Sequence, residues 1–145
     1  MRETALFIIK PDGYNKREQI KLDISNHFEL LQTYLFEFNP ELVARLYPAD
    51  VDQSHYHALL EYMLESTCEL GIVRGDSAIK RFYEIAGESS DPKECAENTL
   101  RYKYGKGLDT TKSGLYIVKN AIHRAKSREE FKLEWNLFRR ENIIL

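Results

Sequence analysis

Features that mark specialised proteins are mostly missing from this sequence. Only two cysteines, Cys68 and Cys95, occur in 145 residues. That is too few for a disulfide framework, so both are expected as reduced thiols in a cytosol-like compartment. Neither sign of charge dominates: 21 Lys and Arg face 23 Asp and Glu, a formal net charge of −2. Such a balance exerts no global pull toward nucleic acid or anionic membrane, and any anion site must be a local cluster. Long apolar runs are lacking too. The run Ala5–Ile9 is too short for a signal-peptide core and ends on Lys10, and no segment approaches the length of a membrane span. No internal repeat, low-complexity tract or linker interrupts the chain. No CxxC pair, Walker lysine loop or dinucleotide fingerprint occurs. The expectation is one domain over residues 1–145, soluble and cytoplasmic.

What the chain does have is 43% apolar residues spread along its whole length, enough for one core. Ala5–Ile9 reads as a buried strand bounded by Pro11-Asp12-Gly13. Ile20, Ile24, Phe28 and Leu31 fall at helical spacing and predict a helix from about Gln19 to Leu31. Tyr34–Phe38 is short and aromatic-rich, as a second strand would be. Asn39-Pro40-Glu41 reads as a helix start, with Asn39 as cap and Pro40 in the first turn. A further helix is expected from about Gln53, carrying Tyr56, Leu59, Leu60, Met63 and Leu64 on one face. Cys68–Val73 reads as a third strand, and Ala78–Ala86 as a helix stopped by Gly87. From Glu88 to about Ser113 periodicity disappears, and a loop that long in a compact domain is usually functional. Leu115–Val118 is expected as the fourth strand. Ser127-Arg128-Glu129-Glu130 has capping-box spacing before a last helix with Phe131, Trp135 and Phe138. The resulting order βαβααβαβα fits an α+β, ferredoxin-like sandwich: a four-stranded antiparallel sheet with helices packed on it.

Three short sequences concentrate chemistry: Phe7-Ile8-Ile9-Lys10-Pro11-Asp12-Gly13 after the first strand, Leu100-Arg101 in the long loop, and Asn120-Ala121-Ile122-His123 near the C-terminus. An imidazole is nucleophilic near neutral pH and can accept and release a phosphoryl group. Alone, His123 would read as a satisfied core or loop histidine, and Lys10 as a surface lysine ending a strand. Together, the KPDG run and the NAIH motif at this separation resemble the nucleoside diphosphate kinase family, over about residues 3 to 138.

That resemblance implies a ping-pong transfer: a nucleoside triphosphate gives its terminal phosphoryl to His123, and the phosphohistidine passes it to a nucleoside diphosphate. It casts Glu134 as the residue fixing the histidine tautomer, Lys10 as a phosphate contact that neutralises developing charge, and Tyr47 as a hydrogen-bond donor near the histidine. Substrate contacts would come from Arg101 and Ser89 on phosphate, Asn120 on the sugar, and Leu59 and His55 beside the base. Mg²⁺ would enter held mainly by the nucleotide phosphates, with no protein metal site. Partners implied are nucleoside di- and triphosphates and further copies of the chain, in assemblies built from dimers and typically hexameric. No membrane or nucleic-acid partner is expected.

The chain departs from the family pattern at several positions. Tyr83 stands where the family carries a second phosphate-binding arginine, and Arg81 lies about 200° away around a helix. Ser89 replaces a threonine, His55 a base-stacking phenylalanine and Ala125 a serine. Residues 103–113 include an insertion, and the first helix region is slightly shortened. Loss of one phosphate arginine is expected to weaken nucleotide binding by roughly one to a few kcal/mol. Two other readings compete. One is a kinase-like domain that binds nucleotide or protein with weak or no catalysis; the other is a nucleic-acid module, which the near-neutral charge disfavours. His55 and His57, two apart, make a poor metal pair. The cluster Arg101, Lys103, Lys106 and Lys112 reads better as a solvated loop than as an entry funnel.

Overall fold

The computed structural model describes residues 2–145. Its central sheet has the strand order β2 (Glu29–Phe36), β3 (Cys68–Asp76), β1 (Arg2–Ile9), β6 (Ile122–Arg124), all neighbours antiparallel. Strand β1 (Arg2–Ile9) lies inside the sheet and is buried on both faces, which explains its unbroken apolar run. Ala5, Phe7 and Ile9 enter one core with α1 (Arg17–Ser25), α4 (Ala78–Ala86) and α5 (Leu100–Tyr104). Ile8 enters the other, with α2 (Pro40–Leu46), α3 (Tyr56–Met63) and α6 (Arg128–Arg140). Alternation along one strand thus feeds two cores.

Several boundaries move from their expected places. The helix predicted to reach Leu31 ends at Ser25, and β2 (Glu29–Phe36) has already begun. Ile20 and Ile24 are buried on α1 as expected. Phe28 lies just past the helix, its N–H still donating to Ile24 O at 3.1 Å, and is buried with its ring 5.6 Å from that of Phe82. Leu31 sits at a register shift in the β2–β3 (Cys68–Asp76) ladder and is 40% exposed. Phe38 is outside the strand, buried against Phe36.

The largest correction concerns the segment 88–119. The fourth strand expected at Leu115–Val118 is β5 (Tyr116–Lys119), but it pairs with β4 (Gly107–Thr110) in a separate hairpin. The fourth strand of the main sheet is instead β6 (Ile122–Arg124), which contains His123. The irregular stretch also holds α5, capped by the Thr99 side chain on Tyr102 N–H.

Local signals held elsewhere. Asn39 caps α2 by accepting from Leu42 N–H at 2.8 Å, and Ser127 caps α6 by accepting from Glu130 N–H at 3.1 Å. Gly87 ends α4 with φ +116°, a conformation L side chains rarely adopt, and an added Cβ would lie 2.8 Å from Cys95 Sγ. Gly13 lets the turn after Lys10 press on Ala121, whose carbonyl oxygen would lie 3.0 Å from a Cβ there.

Candidate functional site

The site forms where β1 and β6 end side by side. Ile8 pairs with His123 across the ladder. Two residues on, Lys10 N–H donates to Ala121 O at 2.7 Å, so Lys10 and His123 are brought together by one strand pair. Between Asn120 and Ile122 the chain bends sharply, with Ala121 at φ 68°, a left-handed conformation costly for a non-glycine residue. Asp12 braces that bend. Its carboxylate accepts from Ala121 N–H at 3.2 Å and from the Tyr62 hydroxyl, and its second oxygen accepts from Lys106 N–H at 3.3 Å.

His123 is 8% exposed. Its Nε2 meets Glu134 Oε2 at 2.9 Å. A carboxylate only accepts, so Nε2 carries a hydrogen, and in the neutral imidazole the lone pair is then on Nδ1. No hydrogen bond within the described residues occupies Nδ1. The Tyr47 ring stands edge-on to the imidazole at 5.7 Å between centroids, and the Lys10 ammonium lies 5.6 Å from the same ring. Lys10 Nζ donates to Asn120 Oδ1 at 2.9 Å, while Asn120 Nδ2 donates to Ser90 O at 3.1 Å. Arg101 reaches in from α5. Its Nε and Nη2 donate to Ile122 O at 3.2 and 2.9 Å, and its Nη1 to Ser89 O at 2.8 Å.

Electrostatics make the pocket short of anions. Burial, reinforced by the positive charges of Arg101 and Arg124, pulls the Lys10 ammonium down from 10.5 to about 7, against a smaller opposing pull from Asp12. Burial, with Arg124 nearby, lowers Arg101 to about 10. Burial and the Glu134 charge push the Tyr47 phenol above its ordinary value. None of Lys10, Arg101 and Arg124 forms an ion pair with a carboxylate among the described residues. Five buried side-chain atoms of those residues lack a hydrogen-bond partner, and three are here: Tyr47 Oη, Glu134 Oε1 and Arg124 Nε. Unpaired buried polar atoms are rare in folded chains, so their concentration marks a place meant for a ligand.

Of the residues singled out from sequence, Lys10, Tyr47, Ser89, Arg101, Asn120, His123 and Glu134 are joined by these contacts. Ser89 takes part through its carbonyl, while its hydroxyl accepts from Asp91 N–H at 3.1 Å. His55 and Leu59 stand apart, one turn from each other at the start of α3. His55 is exposed, its Nε2 bonded to Asp50 Oδ1 at 2.9 Å, and Leu59 is buried in the core. Asp12 and Arg124 were missed. Asp12 was legible as part of the KPDG run; Arg124, next to the histidine, carried no signal until its spatial neighbours were known.

The ferredoxin-like sheet, with a carboxylate-bonded histidine set among buried cations, defines a histidine-centred, anion-accepting site. The comparisons with known proteins agree with that class and narrow it. The chain belongs to the nucleoside diphosphate kinase family, whose model matches residues 3–144. The nucleoside diphosphate kinase of Aquifex aeolicus is 31% identical over 137 residues, covering 91% of this chain and 90% of that protein. A crystal structure of the Aquifex aeolicus enzyme aligns over 95% of each chain with TM-score 0.77 and 28% identity. A halophilic nucleoside diphosphate kinase from Halobacterium salinarum, solved in complex with CDP, aligns with TM-score 0.77 over 95% of this chain and 88% of its own. At 18% identity that last likeness speaks for the fold alone.

Proposed function

We propose that this chain is a nucleoside diphosphate kinase acting through a phosphohistidine on Nδ1 of His123. The observation that carries the reading is the Nε2–Glu134 bond, which leaves Nδ1 without a hydrogen-bond partner in a site whose buried Lys10 and Arg101 have no carboxylate partner. Nδ1 attacks the terminal phosphorus of a nucleoside triphosphate, the bond to the bridging oxygen breaks, and the nucleoside diphosphate leaves. Glu134 stabilises the positive charge that develops on the ring. In the second half, a terminal oxygen of another nucleoside diphosphate attacks the phosphorus and the P–N bond breaks, restoring the imidazole.

Lys10 and Arg101 act electrostatically on the phosphoryl oxygens, where charge spreads in the transition state. After its three carbonyl contacts Arg101 keeps two of its five N–H donors for phosphate. The unpartnered Tyr47 hydroxyl supplies a further donor. Asn120 uses both ends of its amide on Lys10 and Ser90, so a sugar contact there exchanges one of these bonds. His55 and Leu59 would flank the base, and the low selectivity of stacking over edge readout fits one pocket serving donor and acceptor. The donor set suits Mg²⁺ carried on the nucleotide phosphates, since Asp12 spends both oxygens on Tyr62, Ala121 and Lys106. When bound, the ion neutralises phosphate charge. We place the enzyme in the cytoplasm as a dimer-based oligomer. Its two buried free cysteines suit a reducing compartment, and no helix of the described residues is long and apolar enough to cross a membrane.

Incubation with γ-labelled ATP tests the reading. Label that is acid-labile and alkali-stable is expected on the wild type and absent from His123→Ala, and it should chase to GTP on adding GDP. Nucleotide binding without any label would install the competing reading, a kinase-like binding domain.

A further inference from the structure

The family resemblance implies an arginine at position 83, where this chain has Tyr83, yet the structure has a second buried guanidinium against that ring. Arg124 follows His123 on β6 and is 6% exposed. Its guanidinium carbon lies 4.4 Å from the centroid of the Tyr83 ring, close enough for a cation–π stack. Two of its five donors are used: Nη2 donates to Gly87 O at 3.1 Å and to Glu88 O at 3.0 Å. These are carbonyls at the end of α4, where helix geometry favours a cation. Nε is buried and has no partner. The one carboxylate that acts on it is Glu130, which accepts from Lys126 N–H at 3.0 Å and forms no ion pair with Arg124 among the described residues. Arg124 is also the charge felt most strongly by Arg101, and it depresses Lys10.

A purely structural arginine anchoring α4 would not need to sit within reach of two other buried cations. Like charges held together without a counter-ion raise the energy of the free protein, and the arrangement makes sense when an anion enters between them.

We propose that Arg124 is a phosphate-binding residue, the second guanidinium of the polyphosphate site, held on the Tyr83 ring and supplied from the strand beside His123 rather than from α4. Tyr83 is then not a lost ligand but the platform for a relocated one. The weakening of nucleotide binding expected from the sequence does not follow. This inference rests on the kinase reading for the identity of its ligand, but the anion site itself can be tested apart from it.

The experiment measures affinity for ADP, for adenosine and for inorganic tripolyphosphate, alongside melting temperature and phosphohistidine labelling. Arg124→Gln is expected to weaken ADP and tripolyphosphate by about 10- to 100-fold, the size of a charge-assisted pair, while leaving adenosine unchanged. Because Arg124→Gln can also loosen the end of α4, the double variant Tyr83→Arg, Arg124→Gln serves as the second arm. Returning a guanidinium from position 83 should recover most of the lost ADP affinity. A folded Arg124→Gln that binds ADP and tripolyphosphate as tightly as wild type overturns the inference. So does failure of the folded double variant to recover any ADP affinity. If wild type takes no label while Arg124→Gln still weakens tripolyphosphate, the kinase reading fails and the anion site stands.

Discussion

His123 and Arg124 are neighbours in the chain and point to opposite faces of the same strand, and the two faces are finished differently. On the His123 side the imidazole is fastened to Glu134, a full negative charge. On the Arg124 side the guanidinium meets only carbonyl oxygens and an aromatic ring. The contrast separates two jobs. A nucleophile needs one defined tautomer, which a buried carboxylate imposes; a phosphate ligand needs charge left unspent, which neutral partners preserve. Lys10 belongs to both: it lies against Tyr47 on the histidine side and feels the two guanidiniums.

Removing Lys10 should therefore have the largest effect and show it in opposite directions. Lys10→Met is expected to slow phosphohistidine formation by about 10³-fold, since a preorganised cation on the transferring group is lost. The same change should stabilise the fold by about 2–4 kcal/mol at pH 6–7, because an uncompensated buried charge disappears. The pH dependence follows from the shift from 10.5 to about 7. Below pH 7 folded and unfolded chains both hold the proton, and the folded state bears the full penalty. Between pH 7 and 10.5 the folded chain sheds its proton while the unfolded chain keeps it, so wild-type stability gains as pH rises. The advantage of the variant should shrink toward pH 10, as urea titrations at several pH values would reveal. An advantage that is flat or growing with pH would mean Lys10 is not the strained charge.

Glu134→Gln sharpens the histidine side next. An amide can meet Nε2 as donor or acceptor, so the tautomer is no longer imposed and the imidazolium formed on transfer loses its counter-charge. Single-turnover labelling should fall by about 10- to 100-fold, with ADP affinity nearly unchanged. Equal losses in labelling and ADP affinity would show that Glu134 serves the pocket's charge as a whole.

The two faces also differ in how far sequence alone revealed them. The strand Ala5–Ile9, the Asn39 and Ser127 caps and the Gly87 stop are local, set by residues within one turn of each other, and each stood where its pattern placed it. His123, Lys10 and Asn120 were legible because two short motifs carry them. Strand β6 was not: three residues are too few to show alternation, and they lie inside the motif itself. The β4–β5 hairpin was hidden because Gly107–Thr110 is polar and pairs outside the main sheet. Arg124 escaped because its meaning depends on Tyr83, 41 positions away in sequence and in contact only after α4 packs on β6.

Proton uptake measures the shared charge. At pH 8 Lys10 is mostly neutral in the free protein, and a bound polyphosphate favours its ammonium form. ADP binding should then take up close to one proton, and affinity should fall by up to about tenfold per pH unit above 7. Calorimetry in buffers of different ionisation enthalpy would read this directly. Lys10→Met should abolish it, and uptake that survives in that variant would assign the proton to another group.

The smallest expected effect probes the Arg124 side alone. Tyr83→Phe keeps an aromatic face under the guanidinium, whereas Tyr83→Leu removes the π-system and leaves an apolar surface of similar reach. A cation–π contact of this kind contributes about 0.5–1 kcal/mol, so ADP affinity should weaken about 2- to 5-fold in Tyr83→Leu and barely change in Tyr83→Phe. Labelling at saturating ATP should be untouched in both, because Tyr83 shares no hydrogen bond with His123 or Glu134. If Tyr83→Phe weakens ADP as much as Tyr83→Leu does, the hydroxyl rather than the ring face matters, and the stacked platform is the wrong description of how Arg124 is held.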